Sequence, residues 1–269
     1  MEITNRNFFR LIADGTFGSH NDIEPMSAYK WEHLVLIGEA ENLLPFLKKG
    51  INIHQKDNCL NIPDSVYHKL DGIEEFANNK IALNVTHGKE KYKMPQLSYI
   101  IGNIKLKKIV YNEYHSIDTS IVSLNILELI IRNTANIMTS GVSLHEIINL
   151  GLFLRQHGHN VDFVKVETWL DKLGLKQMAN LQANILTSFL GFEDDEIPFM
   201  LSKDDSAMTM VTQHIDGIKS TIIPGEDNEI KKASKRKIRN AIRCFRQTPT
   251  EAVCRTFSNL AKNLSEIEE

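Results

Sequence analysis

Leu97-Ser98-Tyr99-Ile100-Ile101-Gly102-Asn103-Ile104-Lys105-Leu106-Lys107-Lys108-Ile109-Val110-Tyr111 is where the chain departs from a helical pattern. Two apolar, β-branched runs flank Gly102-Asn103, a pair suited to a two-residue primed turn. Ile104 and Leu106 alternate with Lys105 and Lys107, which gives one wet face and one dry one. The spacing predicts a β-hairpin. Two strands alone are marginal in water, so the hairpin requires helices against its dry face.

On the N-terminal side the pattern is helical. Thr4 is a candidate N-cap for a helix through Phe8, Phe9, Leu11 and Ile12, stopped by Gly15 and Gly18. Ser27 opens a second helix carrying Trp31, Leu34, Val35 and Ile37, with Pro45 and Lys48-Lys49-Gly50 as its closing signals. Pro63-Asp64 starts a third through Val66, Leu70, Ile73 and Phe76, and residues 84–95 are polar and turn-rich.

Beyond Val122 the chain is helical almost to its end. Ile126, Leu127, Ile130, Ile131 and Ile137 form a nearly all-apolar helix, expected at the centre of the molecule. Ser143-Leu144-His145-Glu146 has the capping-box pattern, Asp162 opens a helix ended by Gly174, and another runs from Leu175 to Gly191. Ser202 to Lys219 is a further helix, and Thr248-Pro249-Thr250-Glu251 caps the last one. The expected class is α+β, predominantly α: one hairpin or small sheet with a helical bundle, divided into residues 1–120 and 121–269.

A chain of 269 residues, 42% hydrophobic, can bury a sizeable core. No apolar run approaches the roughly 20 residues of a membrane span, and the N-terminus lacks a signal-peptide layout. Cys59, Cys244 and Cys254 are odd in number and contain no Cys-x-x-Cys pair, so neither a disulfide framework nor a zinc knuckle is implied. A cytoplasmic location with reduced thiols is expected.

The carboxylates and histidines offer little chemistry in sequence. Asp22-Ile23-Glu24 has the spacing of a metal-binding pair on a strand, but it sits in a polar loop beside Pro25 and suits turn and capping roles. Glu193-Asp194-Asp195-Glu196 and Asp204-Asp205 lie at helix starts, where acids favour the positive end of the dipole. His157-Gly158-His159 suits a helix end better than a metal site, and His115 and His145 have no adjacent partner for general-base work. None of the nucleophile-elbow, phosphate-loop, dinucleotide or zinc-protease motifs occurs.

Residues 231–246 carry eight cations and no acid, which leaves −11 on the remainder of a chain whose net charge is −3. On a helix, all but Lys237 fall on one side, with Ile230, Ala233, Ile238, Ala241, Cys244 and Phe245 on the other. Like charges four apart, such as Lys231/Lys235 and Arg239/Arg243, disfavour this helix unless anions sit nearby. Lys231, Lys235, Arg236, Arg239 and Arg243 are therefore the candidate anion contacts. Acids of the same chain, phosphates or nucleic acid are the candidate partners.

Asn7-Phe8-Phe9-Arg10-Leu11-Ile12-Ala13-Asp14-Gly15-Thr16-Phe17-Gly18 followed by Trp31-Glu32-His33-Leu34 resembles the opening of a bacterial nucleotidyltransferase-like family. Ser140 to Leu154, Val161-Asp162-Phe163, Trp169-Leu170, Leu173-Gly174-Leu175 and Phe245-Arg246 with Pro249-Thr250-Glu251-Ala252 resemble its later segments in order. The family places a Lys-Gly segment and an Asp-x-Asp strand between these blocks, and those two acids hold the metal that carries a triphosphate. After Asn79-Lys80-Ile81-Ala82-Leu83 that block is missing, and His145 and Asn149 stand where the family pattern has Arg and Asp.

The resemblance thus implies a shortened, degenerate member with a reduced sheet, no catalytic residue and no cofactor, which binds nucleotide, anion or partner. One alternative is an active enzyme that uses magnesium with nucleotide, its carboxylates assembled from Glu113, Asp118 and residues 193–196. The other is a helical protein-interaction adaptor.

Overall fold

In the computed structural model, residues 1–73, 97 and 100–222 are described. Ten α-helices are present among them: α1 (Ile3–Phe17), α2 (Ala28–Ala40), α3 (Leu44–Ile53), α4 (Asp64–Leu70), α5 (Ile100–Tyr114), α6 (Ile121–Thr139), α7 (Leu144–His157), α8 (Phe163–Lys172), α9 (Lys176–Leu190) and α10 (Ser206–Ile222). No strand occurs among the described residues. The chain in this part is all-α, which overturns the expected α+β class and its nucleotidyltransferase-like sheet.

The correction falls on the expected hairpin, where Ile100–Tyr114 form α5. Leu106, Ile109 and Glu113 recur at helical spacing and are buried, while Ile104, the partner of Leu106 in the strand pattern, points into solvent. Asn103 makes no turn. Its side-chain amide instead exchanges two hydrogen bonds with the backbone of Leu97, each 2.8 Å long. A helix supplies its own backbone hydrogen bonds and needs only one covered face, which α6 provides.

Several expected stops are also helix interior. Thr4 and Gly15 lie inside α1, whose N-cap is Glu2 and which ends at Gly18 in the left-handed region. Pro45 stands in the first turn of α3, where its missing N–H costs nothing, and Lys48-Lys49-Gly50 continue that helix. Gly15 and Gly50 mark the crossing of α1 and α3. A Cβ on Gly15 would lie 1.9 Å from the Phe46 carbonyl oxygen, and one on Gly50 would lie 2.0 Å from that of Leu11.

One apolar core joins the helices before and after residue 120. It includes Phe8, Leu11 and Ile12 of α1, Trp31 of α2, and Ile130, Phe153 and Ile185 of α6, α7 and α9. The Phe9 and Phe189 rings meet at 4.5 Å. By length and composition alone α6 could cross a membrane, but 67% of its apolar window is buried inside the bundle. Phe76, the 84–95 loop, the basic run and the Thr248 capping box lie outside the described residues.

Candidate functional site

The acids singled out in the sequence are occupied by the fold. Glu24 receives both arms of the Arg6 guanidinium at 2.9 Å and one of Arg10 at 3.0 Å. Arg6, then Arg10, hold its carboxyl below the usual range. The Glu24 backbone exchanges hydrogen bonds with the Asn7 amide, and Asp22 offers its carbonyl oxygen to Arg10. The 18–27 loop is thereby pinned on α1, and Glu24 is left no share in a metal site.

Glu193 and Glu196 close a capping box on a short 3-10 turn. Glu196 also accepts from Arg155, whose guanidinium lies over the Phe17 and Phe192 rings at 4.7 and 4.2 Å. Asp204 caps the Ser206 N–H ahead of α10, and the buried amides of Asn180 and Asn184 fix the backbone of residues 201–204. Asp194, Asp204 and Asp205 line one wall of an open cleft of about 440 Å³, with Lys203 3.8 Å from Asp194. Each acid there serves a turn, a cap or an ion pair, or sits at a helix start.

The histidines divide similarly. His115 is hydrogen-bonded to the Tyr111 carbonyl and stacked on its ring, and His159 pairs with Asn160. His157 packs on Phe153, and its buried Nε2 has no hydrogen-bond partner among the described residues. His145 and Arg132 lower the Glu146 carboxyl below its usual range. Among the described residues, no group of three or more His, Cys, Asp or Glu is placed to hold a metal. Two of the carboxylates suggested for an active enzyme share one lysine. Glu113 and Asp118 both face Lys165, at 3.0 and 3.5 Å, and together raise its ammonium above the ordinary value. Cys59 is exposed in a 3-10 turn, and Cys244, Cys254 and the anion-contact residues Lys231, Lys235, Arg236, Arg239 and Arg243 lie outside the described residues.

Two buried clusters were invisible in sequence. Asp14, fully buried, accepts from the backbone N–H and side-chain amide of Asn21 and stands 2.7 Å from His54 Nε2. Glu41 accepts from the Leu144 N–H, 103 residues away, and stands 2.7 Å from His214 Nε2 on α10. The expected Ser143 cap makes no side-chain bond, because Glu146 turns to Arg132 and Glu41 caps α7 in its place. Glu41→Ala should therefore cost about 2 kcal/mol in urea unfolding, since it orphans a helix N-terminus and an imidazole together.

The surface offers what the interior does not. α5 and α8 lie antiparallel over α6, tied by Lys105 to the Lys172 carbonyl at one end and by Lys165 to Glu113 at the other. Their outer faces expose Ile104 (62%), Tyr111 (63%) and Val164 (78%), with Ile117 fully exposed in the adjoining loop. The helical spacing of Leu106, Ile109 and Glu113 in the sequence could have found this face, had residues 97–111 been weighed as a helix. Comparison with protein-family profiles, with curated proteins and with solved structures found no match to this chain.

Proposed function

We propose that this chain is a non-catalytic, helical interaction protein that docks partners on the α5/α8 surface. The observation that supports this reading is the exposure of large apolar side chains there, Ile104, Tyr111, Ile117 and Val164. Isolated exposed apolar residues are ordinary, but Ile104 and Tyr111 share one stripe of α5 flanked by Lys107 and Lys108, and an apolar stripe beside cations suits an interaction site. A photo-crosslinker at Ile104 or Tyr111, introduced in the source cell, should give discrete protein adducts, and one at the equally exposed Tyr29 of α2 should not. Equal patterns from all three positions, or none from any, would sink the reading.

Anion binding through residues 231–246 is a second reading, favoured by eight cations without a single acid in the run. Replacing Lys235, Arg239 and Arg243 by Gln together should abolish retention on polyphosphate resin, and unchanged retention would remove this reading. A triphosphate titration followed by thermal shift addresses the enzymatic alternative. Stabilisation that requires magnesium would count for nucleotidyl transfer and against a non-catalytic role.

A further inference from the structure

We infer that the partner segment at the α5/α8 surface is an acidic amphipathic helix of another protein. This inference rests on the docking role proposed for that surface. Its apolar part is narrow: Ile104 and Tyr111 stand seven residues apart on one stripe of α5, and Val164 projects from the neighbouring ridge. An apolar stripe on one helix suits a partner helix that offers apolar residues at three-and-four spacing.

The charges around the stripe fix the sign of the partner. At the edge of this face two lysines answer four acids, Glu113 and Asp118 on Lys165 and Glu167 and Asp171 on Lys176 at 3.1 and 3.6 Å, but on α5 itself the one acid, Glu113, is buried. Lys105, Lys107, Lys108 and Lys172 have no carboxylate partner among the described residues, and Lys105 spends its ammonium on a carbonyl. Lys107 and Lys108 flank the line from Ile104 to Tyr111, so any helix laid on that line meets both.

An uncompensated set of cations on a docking face selects anionic partners and speeds their approach. The rest of the chain is a poor source of such a partner. Residues 223–269 hold ten cations against seven acids, and residues 74–96 hold four against three.

The test uses the full chain, isotope-labelled for NMR, with two synthetic helical peptides that share a leucine stripe and differ only in flanking Glu or Lys. The Glu peptide should shift resonances within 104–118 and 164–172 and bind at least about tenfold more tightly than the Lys peptide. Lys107→Glu with Lys108→Glu should reverse that preference while leaving the far-ultraviolet circular dichroism unchanged. Equal binding of both peptides at this face would overturn the charge selection and leave the docking reading standing. Binding of neither peptide would overturn both, as would capture by phosphatidylserine vesicles alone or concentration-dependent self-association that shifts these same resonances.

Discussion

Gly15→Ala and Gly50→Ala should each destabilise the protein by about 3 kcal/mol, the upper end of overpacking costs. At both positions the new methyl would meet backbone of the facing helix, about 2 Å from a carbonyl oxygen, so no side-chain rotamer can relieve the clash. α1 and α3 would have to separate, opening contacts among Leu11, Phe46, Leu47 and Ile51, all buried. Gly217→Ala provides the opposite result. It lies inside α10 with no atom of the described residues within 4 Å of where its Cβ would stand, and the substitution should stabilise by about 0.5–1 kcal/mol through helix propensity. Urea unfolding of the three variants checks the contrast. If Gly50→Ala unfolds at the wild-type midpoint, the close crossing of α1 and α3 is wrong.

Asp14→Ala should cost about 4 kcal/mol, comparable to breaking a buried ion pair. Its carboxylate is fully buried and serves two donors of Asn21 and the His54 ring, so truncation leaves three partly buried polar groups without this acceptor. Asp14→Asn should cost far less, because its amide oxygen still accepts from Asn21 and a change of His54 tautomer can meet the new NH₂. The comparison of the two by calorimetry separates lost charge from lost hydrogen bonds and volume. Equal losses for Ala and Asn would show that the cluster acts through charge alone. The 18–21 loop includes His20 at positive φ and is held by Asn21, so Asp14→Ala should also speed protease cleavage there.

Much of the helical framework was legible because its signals are local. Asp162 caps α8 through the Lys165 N–H, as expected, Gly191 ends α9 in the left-handed region, and the apolar run of α6 sits in the core. Where sequence pattern and fold part, the cause is shared: a residue's type does not reveal what lies opposite it. Gly102-Asn103 has the composition of a turn, yet the Asn103 amide reaches back to Leu97 and the helix continues. Gly15 and Gly50 have the composition of stops, yet each makes room for another helix's backbone. Ser143 and Glu146 have a capping box in sequence, and Glu41 supplanted it.

For the candidate sites, sequence identified residue types and the structure identified their partners. Glu24, Glu196 and Asp204 were assigned to turns and caps, and the fold adds the arginines that neutralise the first two. The α5 surface could not be recognised while its residues were assigned to strands, since the same side chains fall on different faces at period 2 and period 3.6.

By itself the sequence determined where helices α6 to α10 run, which of their residues are apolar enough to be buried, and that charge is segregated along the chain. Those properties depend on neighbours within about one helical turn. Only the tertiary structure decided that residues 100–114 are helical, that two glycines carry a helix crossing, and that Asp14 and Glu41 are buried with histidines. The free energy of the last two choices draws on pairs such as Gly15 with Phe46, 31 residues apart, and Glu41 with His214, 173 apart, brought together when the apolar faces pack.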